Sequence, residues 1–287
     1  MRVALLSIDD LSDFVADDEL LIEPLRGLGH EAEFVPWQSA AEWRDFGGVV
    51  IRTTWDYQNH LPAFLRVLQE IETQTQLANP LEIVKWNADK KVYLQDIENR
   101  GGEIVPTLWS GGEIDSRELR EWFDQLQTDE IVIKPTIGAN AQHAFRLKRG
   151  DDDDVDKLRV FENRSYMVQP FMRGIVDEGE FSLFYFNGEY SHTILKTPKS
   201  GDFRVQEEHG GLIRATKPPA ALSATGEKIM KYVSPTPLYA RIDFVRTEAG
   251  EFAVVELELI EPSMYLREAD HAPQMFAEAI DKWLLPK

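Results

Sequence analysis

Polar and apolar residues alternate along the segment 239–262, which reads YARIDFVRTEAGEFAVVELELIEP. A period of two predicts a pair of half-buried strands, because successive side chains of a strand point to opposite faces. The polar stretch 247–250 separates the two runs and ends in Gly250, which readily takes the positive φ of a hairpin turn. The segment is therefore predicted to form an antiparallel hairpin.

One face of this hairpin is predicted to be charged. The expected register places Asp243 opposite Val254. The same register places Glu256 opposite Arg241. Alternation then separates a charged face with Arg241, Asp243, Glu256 and Glu258 from a core face with Ile242, Phe244, Val255, Leu257 and Leu259.

Three carboxylates would share the charged face, those of Asp243, Glu256 and Glu258. In a cleft they would repel one another and lose hydration, and a divalent cation would offset both costs. Oxygen ligands suit a hard cation such as Mg2+. The alternative is the solvated side of an ordinary hairpin, where alternating glutamates are common. The hairpin by itself leaves both interpretations open.

The first part of the chain has the pattern of a small α/β unit. Strands over 3–8, 32–36 and 48–52 alternate with helices over 18–28 and 62–76, and such alternation predicts a parallel sheet covered on both faces. Ligands of such sheets bind beyond the carboxyl ends of the strands. Trp55 and Asp56 follow the third strand at such a position and are candidate substrate contacts. The alternative is a turn with packed aromatic residues.

Beyond the break at Asn79-Pro80, helices and short strands are mixed. Asn87 or Asp89 can cap a helix that runs to about 100, and four aspartates at 151–154 favour another helix start over a calcium loop. Further predicted helices cover 115–126, 223–233 and 275–284, and predicted strands cover 104–107, 130–135, 144–147, 166–172, 181–186 and 190–196. The expected fold class is α/β, with an α+β arrangement in the C-terminal part.

Composition restricts the classes of partner. The 287 residues include 50 acidic and 31 basic residues, for a net charge of −19, and this balance disfavours a nucleic acid. No apolar run approaches the roughly 20 residues of a membrane span. The absence of cysteine excludes disulfides, thiolate metal sites and cysteine nucleophiles. The acidic start does not match a signal peptide, and a cytoplasmic location is expected.

Several motifs follow one another in a fixed order. They are a strand ending in Lys134, the small-residue loop 136–142, the Gln-x-Phe segment at 169–171, a Gly-Asp-Phe-Arg…Gly-Gly loop at 201–211 and the Asp…Glu-x-Glu hairpin. This order resembles the ATP-grasp superfamily, and within it the glutathione synthetase and ribosomal-protein glutamate ligase branch. A weaker similarity, to the ATP-grasp enzyme that closes the cycloserine ring, rests on the TTWDY, WNADK and ELELIEPS stretches.

The resemblance implies an ATP-grasp fold with three domains. These are an N-terminal parallel α/β domain over 1–85, a central lid domain over 86–168 and a C-terminal mixed-sheet domain over 169–287, with ATP between the last two. The implied nucleotide-binding residues are Lys90 or its neighbour Lys91, Lys134, Gln169, Pro170, Phe171, Met172, Glu180 and Gln206. The implied metal ligands are Asp243, Glu256 and Glu258.

The resemblance also implies residues around the reacting groups. Arg241 would steady the transferring phosphoryl group, while Lys196 and Arg204 would face the phosphates or the reacting carboxylate. Candidate substrate contacts are His209, Gly210, Gly211, Arg267, Trp55 and Asp56, with Arg267 preferred over Arg214 for a substrate carboxylate.

Two departures from the family pattern concern the metal patch and the nucleotide. The family usually has Asn where Glu258 stands, so the patch carries an additional negative charge and could select between Mg2+ and Mn2+ differently. An arginine is common in the family at the position of Ser182, two residues after Glu180.

The implied activity is an ATP-dependent carboxylate–amine ligation through an acyl phosphate, which releases ADP and phosphate. The expected substrate is an amino acid or small peptide, with no nucleic acid and no membrane as partner. Intramolecular ring closure and a nucleotide-binding regulator without turnover are the alternatives. Assembly as a homodimer or a homotetramer is left open.

Overall fold

The computed structural model describes residues 1–150 and 152–285, and it describes no side chains at 152–155. Three sheets organise the described residues. The helix predicted to start at the aspartates 151–154 is a 3-10 helix, Asp152–Phe161, and Asp151 itself lies outside the described residues. None of the described helices has the length and apolar character needed to cross a membrane.

The first sheet is parallel, as predicted, with strand order β2-β1-β3-β4. Its strands are β1 (Arg2–Ser7), β2 (Glu31–Pro36), β3 (Gly48–Thr53) and β4 (Gln76–Ala78). The helices of this region are α1 (Ile22–Gly27) and α2 (Leu61–Gln74). Pro62 lies in the first turn of α2, where a backbone N–H has no partner within the helix, so the missing N–H of proline costs nothing. The short strand β4 was not predicted.

The middle sheet is antiparallel, with order β5-β8-β6-β7. Its strands are β5 (Leu108–Gly111), β6 (Glu130–Pro135), β7 (Phe145–Lys148) and β8 (Ser165–Pro170). Helix α5 (Ser116–Gln125) covers it, and the Asp115 carboxylate accepts hydrogen bonds from the backbone N–H groups of Arg117 and Glu118. The short extended piece predicted over 104–107 forms a single bridge, from Ile104 to Val254, and the ladder of the middle sheet starts after Pro106.

Two helices connect the first and middle sheets, where one was predicted. They are α3 (Leu81–Asn87) and α4 (Lys90–Asn99). The Asp89 carboxylate accepts a hydrogen bond from the Lys91 backbone N–H and caps α4. This cap places Lys90 at the first position of a helix whose start faces the middle sheet, where the Lys90 N–H donates to Thr136.

The third sheet has the order β11-β10-β9-β12-β13. Its strands are β9 (Glu180–Phe186), β10 (Glu189–Thr197), β11 (Leu212–Ala215), β12 (Tyr239–Arg246) and β13 (Phe252–Glu258), and its helices are α6 (Gly174–Asp177), α7 (Ala220–Met230) and α8 (Ala272–Leu284). The predicted Asn187-Gly188 turn joins β9 and β10 with positive φ at both residues. Strand β11 was missed because it is a largely exposed edge strand without alternation.

The first and third sheets share a hydrophobic core. Val3 and Val50 of the first sheet, Phe186 of β9 and Phe276 and Ile280 of α8 belong to one buried cluster. The middle sheet has a separate core around Phe123, Phe161 and Tyr166. The predicted domain boundary at 168/169 falls inside β8, and the three-domain division stays a prediction.

Two asparagines fix the chain between β4 and α4 to the third sheet. The Asn79 amide donates to the carbonyls of Tyr239 (3.0 Å) and Leu259 (2.8 Å). The Asn87 amide donates to the Leu257 carbonyl at 2.8 Å, and its oxygen accepts from the Leu259 N–H at 2.8 Å. These bonds hold the end of β13 against the start of α4.

His192 is a buried titratable group in the shared core. Its ring stacks on Phe184 with 4.2 Å between centroids. Nε2 donates to the Met264 carbonyl (3.0 Å), so Nδ1 is free to accept from the Ser191 hydroxyl (2.9 Å). Burial lowers the pKa of His192 to about 4.

Stability is therefore expected to fall in mild acid. The unfolded imidazole has a pKa of about 6.5, so the unfolded state binds the proton first and the stabilisation is lost as pH falls from about 6.5 towards 4. In the His192→Gln variant, the free energy of unfolding should fall less steeply with decreasing pH, by up to about 1.4 kcal/mol per pH unit. Urea unfolding between pH 7 and 4.5 measures it, with surface His60→Gln as the control. Equal slopes for wild type and His192→Gln would contradict this assignment.

Candidate active site

One cleft holds most of the predicted site residues. Its walls come from β6 and the loop 136–142, from β9, β10, β12 and β13, and from the loops that follow β3 and β13. The predicted residues that line it are Trp55, Lys90, Lys134, Gln169, Pro170, Phe171, Met172, Glu180, Lys196, Arg204, Gln206, Arg241, Asp243, Glu256 and Glu258.

A β-bulge sets the geometry of the hairpin β12–β13. Asp243 pairs with Glu256 and Phe244 with Val254, so Val255 is the additional residue. The predicted register, with Asp243 opposite Val254 and Glu256 opposite Arg241, is wrong. The prediction that Val255 faces the core is also wrong, because Val255 and Glu256 both line the cleft.

The three predicted metal ligands converge in this cleft. Asp243, Glu256 and Glu258 each offer a carboxylate oxygen, and these oxygens lie within 4.8 Å of one another. Because hard cations bind several carboxylate oxygens at short distances, the arrangement fits an ion such as Mg2+.

Asp243 is the most buried of the three, at 2% exposure. Its carboxylate accepts hydrogen bonds from Arg241 (3.1 Å) and from the Ser182 hydroxyl (2.5 Å), and Lys196 Nζ lies 3.2 Å away. Burial opposes ionisation, but the two cations and the hydroxyl lower the pKa of Asp243 to about 2. Asp243 is therefore a permanent carboxylate in this cleft.

Glu256 is neutralised from the other side of the cleft. Lys90 Nζ lies 2.8 Å from the Glu256 carboxylate and donates to the Gly138 carbonyl at 2.6 Å. Burial opposes ionisation of Glu256, but Lys90 and Lys134 lower its pKa. Of the two adjacent lysines, Lys90 is buried in the cleft and Lys91 is exposed.

Glu258 has a less favourable environment. Its carboxylate accepts a hydrogen bond from Arg241. Burial raises the pKa of Glu258 to about 7, with Glu256 and Asp243 adding to the rise against the opposing Arg241. The additional charge that distinguishes this position from the family's asparagine is therefore partly suppressed near neutral pH.

Two further lysines extend the positive lining. Lys196 Nζ lies 2.6 Å from Glu180 as well as close to Asp243. Lys134 makes no salt bridge with any described residue, and burial together with Lys90 lowers its pKa. Lys134 is thus a cation that a ligand anion can still neutralise.

The predicted nucleotide segment 169–172 lies along the cleft. Phe171 is covered by the Arg146 guanidinium, 3.5 Å from its ring centroid, and packs edge-on against Phe203 at 6.3 Å. Gln169 donates to the Thr107 hydroxyl at 3.0 Å. The loop that contains Phe203 therefore covers this segment.

Some predicted residues do not line the cleft. The Arg267 guanidinium donates to Asp17 (2.9 Å) and Glu207 (2.5 Å), so these N–H groups are not available for a substrate carboxylate. Asp56 accepts a hydrogen bond from the Trp37 indole at 2.7 Å. The remaining three are His209, whose ring lies 3.4 Å from the Asn140 carbonyl, and its neighbours Gly210 and Gly211. Their roles as substrate contacts stay predictions.

Sequence reasoning missed Glu261 and Tyr57, which both line the cleft. Glu261 is 8% exposed, and burial, reinforced by Glu258, raises its pKa to about 8. Burial, reinforced by the nearby Glu261, raises the pKa of Tyr57. The ELELIEP alternation held a signal for Glu261, but its position after the strand end left its direction undetermined.

Comparisons with known proteins identify similar sequences. A family model described as "D-cycloserine synthetase DcsG, N-terminal domain" matches residues 3–79. The cycloserine biosynthesis protein DcsG of Streptomyces lavendulae is 28% identical over 283 residues, covering 93% of each chain.

Solved structures extend the likeness to the whole fold. The crystal structure of D-cycloserine synthetase DcsG has a TM-score of 0.87 at 25% identity, covering 99% of this chain and 100% of that chain. The ATP-grasp ligase PsnB in complex with a phosphomimetic precursor variant, Mg and ADP has a TM-score of 0.69 at 17% identity, covering 99% and 98%. The chain therefore has the ATP-grasp fold, and it is similar over nearly its whole length to proteins that share this fold.

Proposed function

We propose that this protein activates a carboxylate of an amino-acid derivative as an acyl phosphate and closes a ring onto a nitrogen of the same molecule. Support for ring closure comes from the similarity to a cycloserine biosynthesis protein over 93% of both chains. The expected intermolecular ligation uses the same activation step and differs only in the source of the nitrogen.

The observation that carries the proposal is the charge arrangement of the cleft. Three carboxylates with oxygens within 4.8 Å of one another lie among Lys90, Lys134, Lys196 and Arg241. Asp243, Glu256 and Glu258 would hold Mg2+, and the same oxygen set would accept Mn2+. When bound, the cation would offset the charge of the ATP phosphates and orient their oxygens.

The remaining nucleotide contacts follow from the wall of the cleft. Residues 169–172 would cover the adenine, and Glu180 would accept hydrogen bonds from the ribose hydroxyls. Lys134 would contact the phosphates, because it lines the cleft and makes no salt bridge with a described residue. Lys90 would contact both the phosphates and the Glu256 carboxylate.

The chemistry needs no nucleophile from the protein. A substrate carboxylate oxygen attacks the γ-phosphorus, the bond from that phosphorus to the ADP oxygen breaks, and ADP leaves. The substrate nitrogen then attacks the acyl carbon and loses a proton, and the bond from that carbon to the phosphate oxygen breaks. Lys134, Lys196 and Arg241 would stabilise the negative charge that develops.

Two loops would keep water from the acyl phosphate. The loop 199–211 contacts the nucleotide segment through Phe203 and Phe171 and approaches the loop 136–142 through His209 and Asn140. Loops that cover a reactive intermediate prevent its hydrolysis.

A substrate screen tests the proposal. ADP release should be stimulated by amino acids whose side chain ends in an aminooxy, ureido or amino nitrogen, and mass spectrometry should find a cyclic product. With the substrate carboxylate labelled with oxygen-18, one label should appear in the released phosphate. Stimulation only by a separate acid and amine would refute ring closure, and unlabelled phosphate would refute the acyl phosphate.

The adjacent lysines provide a matched pair for nucleotide binding. Lys90→Ala should raise the KM for ATP roughly 10-fold or more, because a charged contact contributes about 1.5–3 kcal/mol. Lys91→Ala should leave it within about 2-fold, since Lys91 is exposed. Lys134→Ala is expected to act like Lys90→Ala. Equal KM values in Lys90→Ala and Lys91→Ala would contradict the assignment.

Removing the charge of Asp243 or Glu256 should abolish turnover. Asp243→Asn and Glu256→Gln each remove a charge without changing shape, and ADP release should fall at least about 100-fold. Glu258→Asn is the matched control, because the family carries Asn there, and activity should persist. Thermal unfolding checks that the variants fold. Unchanged ADP release in Asp243→Asn and Glu256→Gln would refute the metal assignment.

A further inference from the structure

Glu261 differs from the other buried acids of the cleft. Asp243 and Glu258 contact Arg241, Glu256 contacts Lys90, and Glu180 contacts Lys196. No described lysine, arginine or histidine forms a salt bridge with Glu261. At 8% exposure this carboxyl group lacks both the hydration of the surface and a counter-charge.

The surroundings of Glu261 are rigid and aromatic. The Trp55 indole donates to the Glu261 backbone carbonyl at 2.8 Å, and its ring packs against Phe14 with 5.0 Å between centroids. Tyr57 is 5% exposed, and burial together with the nearby Glu261 raises its pKa. Both aromatic residues line the cleft beside the carboxyl group, and aromatic faces and carboxylates together attract organic cations.

The position of this corner relative to the charged hairpin suits a substrate contact. Glu261 follows β13 by three residues, and Trp55 and Tyr57 follow β3, so the corner lies where the first and third sheets meet. The corner and the nucleotide segment 169–172 are different parts of the cleft wall, so the corner is available to the part of the substrate that does not react. An amino-acid derivative carries an α-amino group there, which is protonated near neutral pH.

We propose that Glu261, which lines the cleft together with Trp55 and Tyr57, binds the protonated amino group of the substrate and thereby selects amino-acid derivatives. The inference rests on the proposed function and adds the residue that recognises the amine. The ammonium group would favour the ionised form of Glu261 and supply the direct ion pair that no described residue forms with it. Glu261 is thus a specificity-determining residue, separate from the metal ligands.

Equilibrium binding with the ring product tests this assignment. Titration calorimetry in the presence of ADP and Mg2+ would compare D-cycloserine with isoxazolidin-3-one, which has the same ring without the amino group. Wild type should bind D-cycloserine at least about 10-fold more tightly. Glu261→Gln should lose this preference while binding isoxazolidin-3-one with a Kd within about 2-fold of wild type. Tyr57→Phe should lose part of the preference for D-cycloserine.

A neighbouring acid provides the control. Glu208 is exposed and lines the same cleft, so Glu208→Gln removes an equal charge without touching the corner and should keep the full preference. Loss of the preference in both glutamate variants would overturn the inference in favour of a general charge effect. Retention of it in a folded Glu261→Gln, verified by thermal unfolding, would also overturn it. Both results leave the proposed function standing, whereas wild type that binds neither ring would refute both.

Discussion

The cleft depends on the mutual neutralisation of buried charges. Removing a carboxylate or an ammonium group from water costs several kcal/mol unless a partner of opposite charge stands close. Asp243 meets this requirement through Arg241 and Lys196, and Glu256 meets it through Lys90. Each of three elements contributes one part of this ionic network: the hairpin β12–β13, the start of α4 and strand β10. Their relative positions must therefore stay fixed.

The β-bulge at Val255 makes this network possible. A regular ladder would turn the side chain before Glu256 towards the core, whereas the additional residue brings both Val255 and Glu256 to the cleft. Asn79 and Asn87 then fix the end of β13 through its backbone. The acidic patch is positioned by backbone hydrogen bonds, so its side chains remain available to a cation.

The cleft also divides into parts with different electrostatics. Lys134 retains an uncompensated positive charge on the side of the nucleotide segment. Glu261 retains an uncompensated carboxyl group on the side of the first sheet. An anionic phosphate chain and a cationic amine would each complete one of these parts. The metal patch lines the same cleft, where phosphate and substrate carboxylate would meet.

The sequence by itself determined the elements with strong periodicity or local caps. These include the parallel first sheet, the Asn187-Gly188 turn and the charged face of the hairpin, because alternation and turn chemistry are local properties of the chain. The order of motifs also indicated the superfamily. Only the tertiary structure decided the register around Val255, the choice of Lys90 over Lys91 for the cleft and the presence of Glu261 and Tyr57 there. These features depend on contacts between residues far apart in the chain, and no local pattern encodes such contacts.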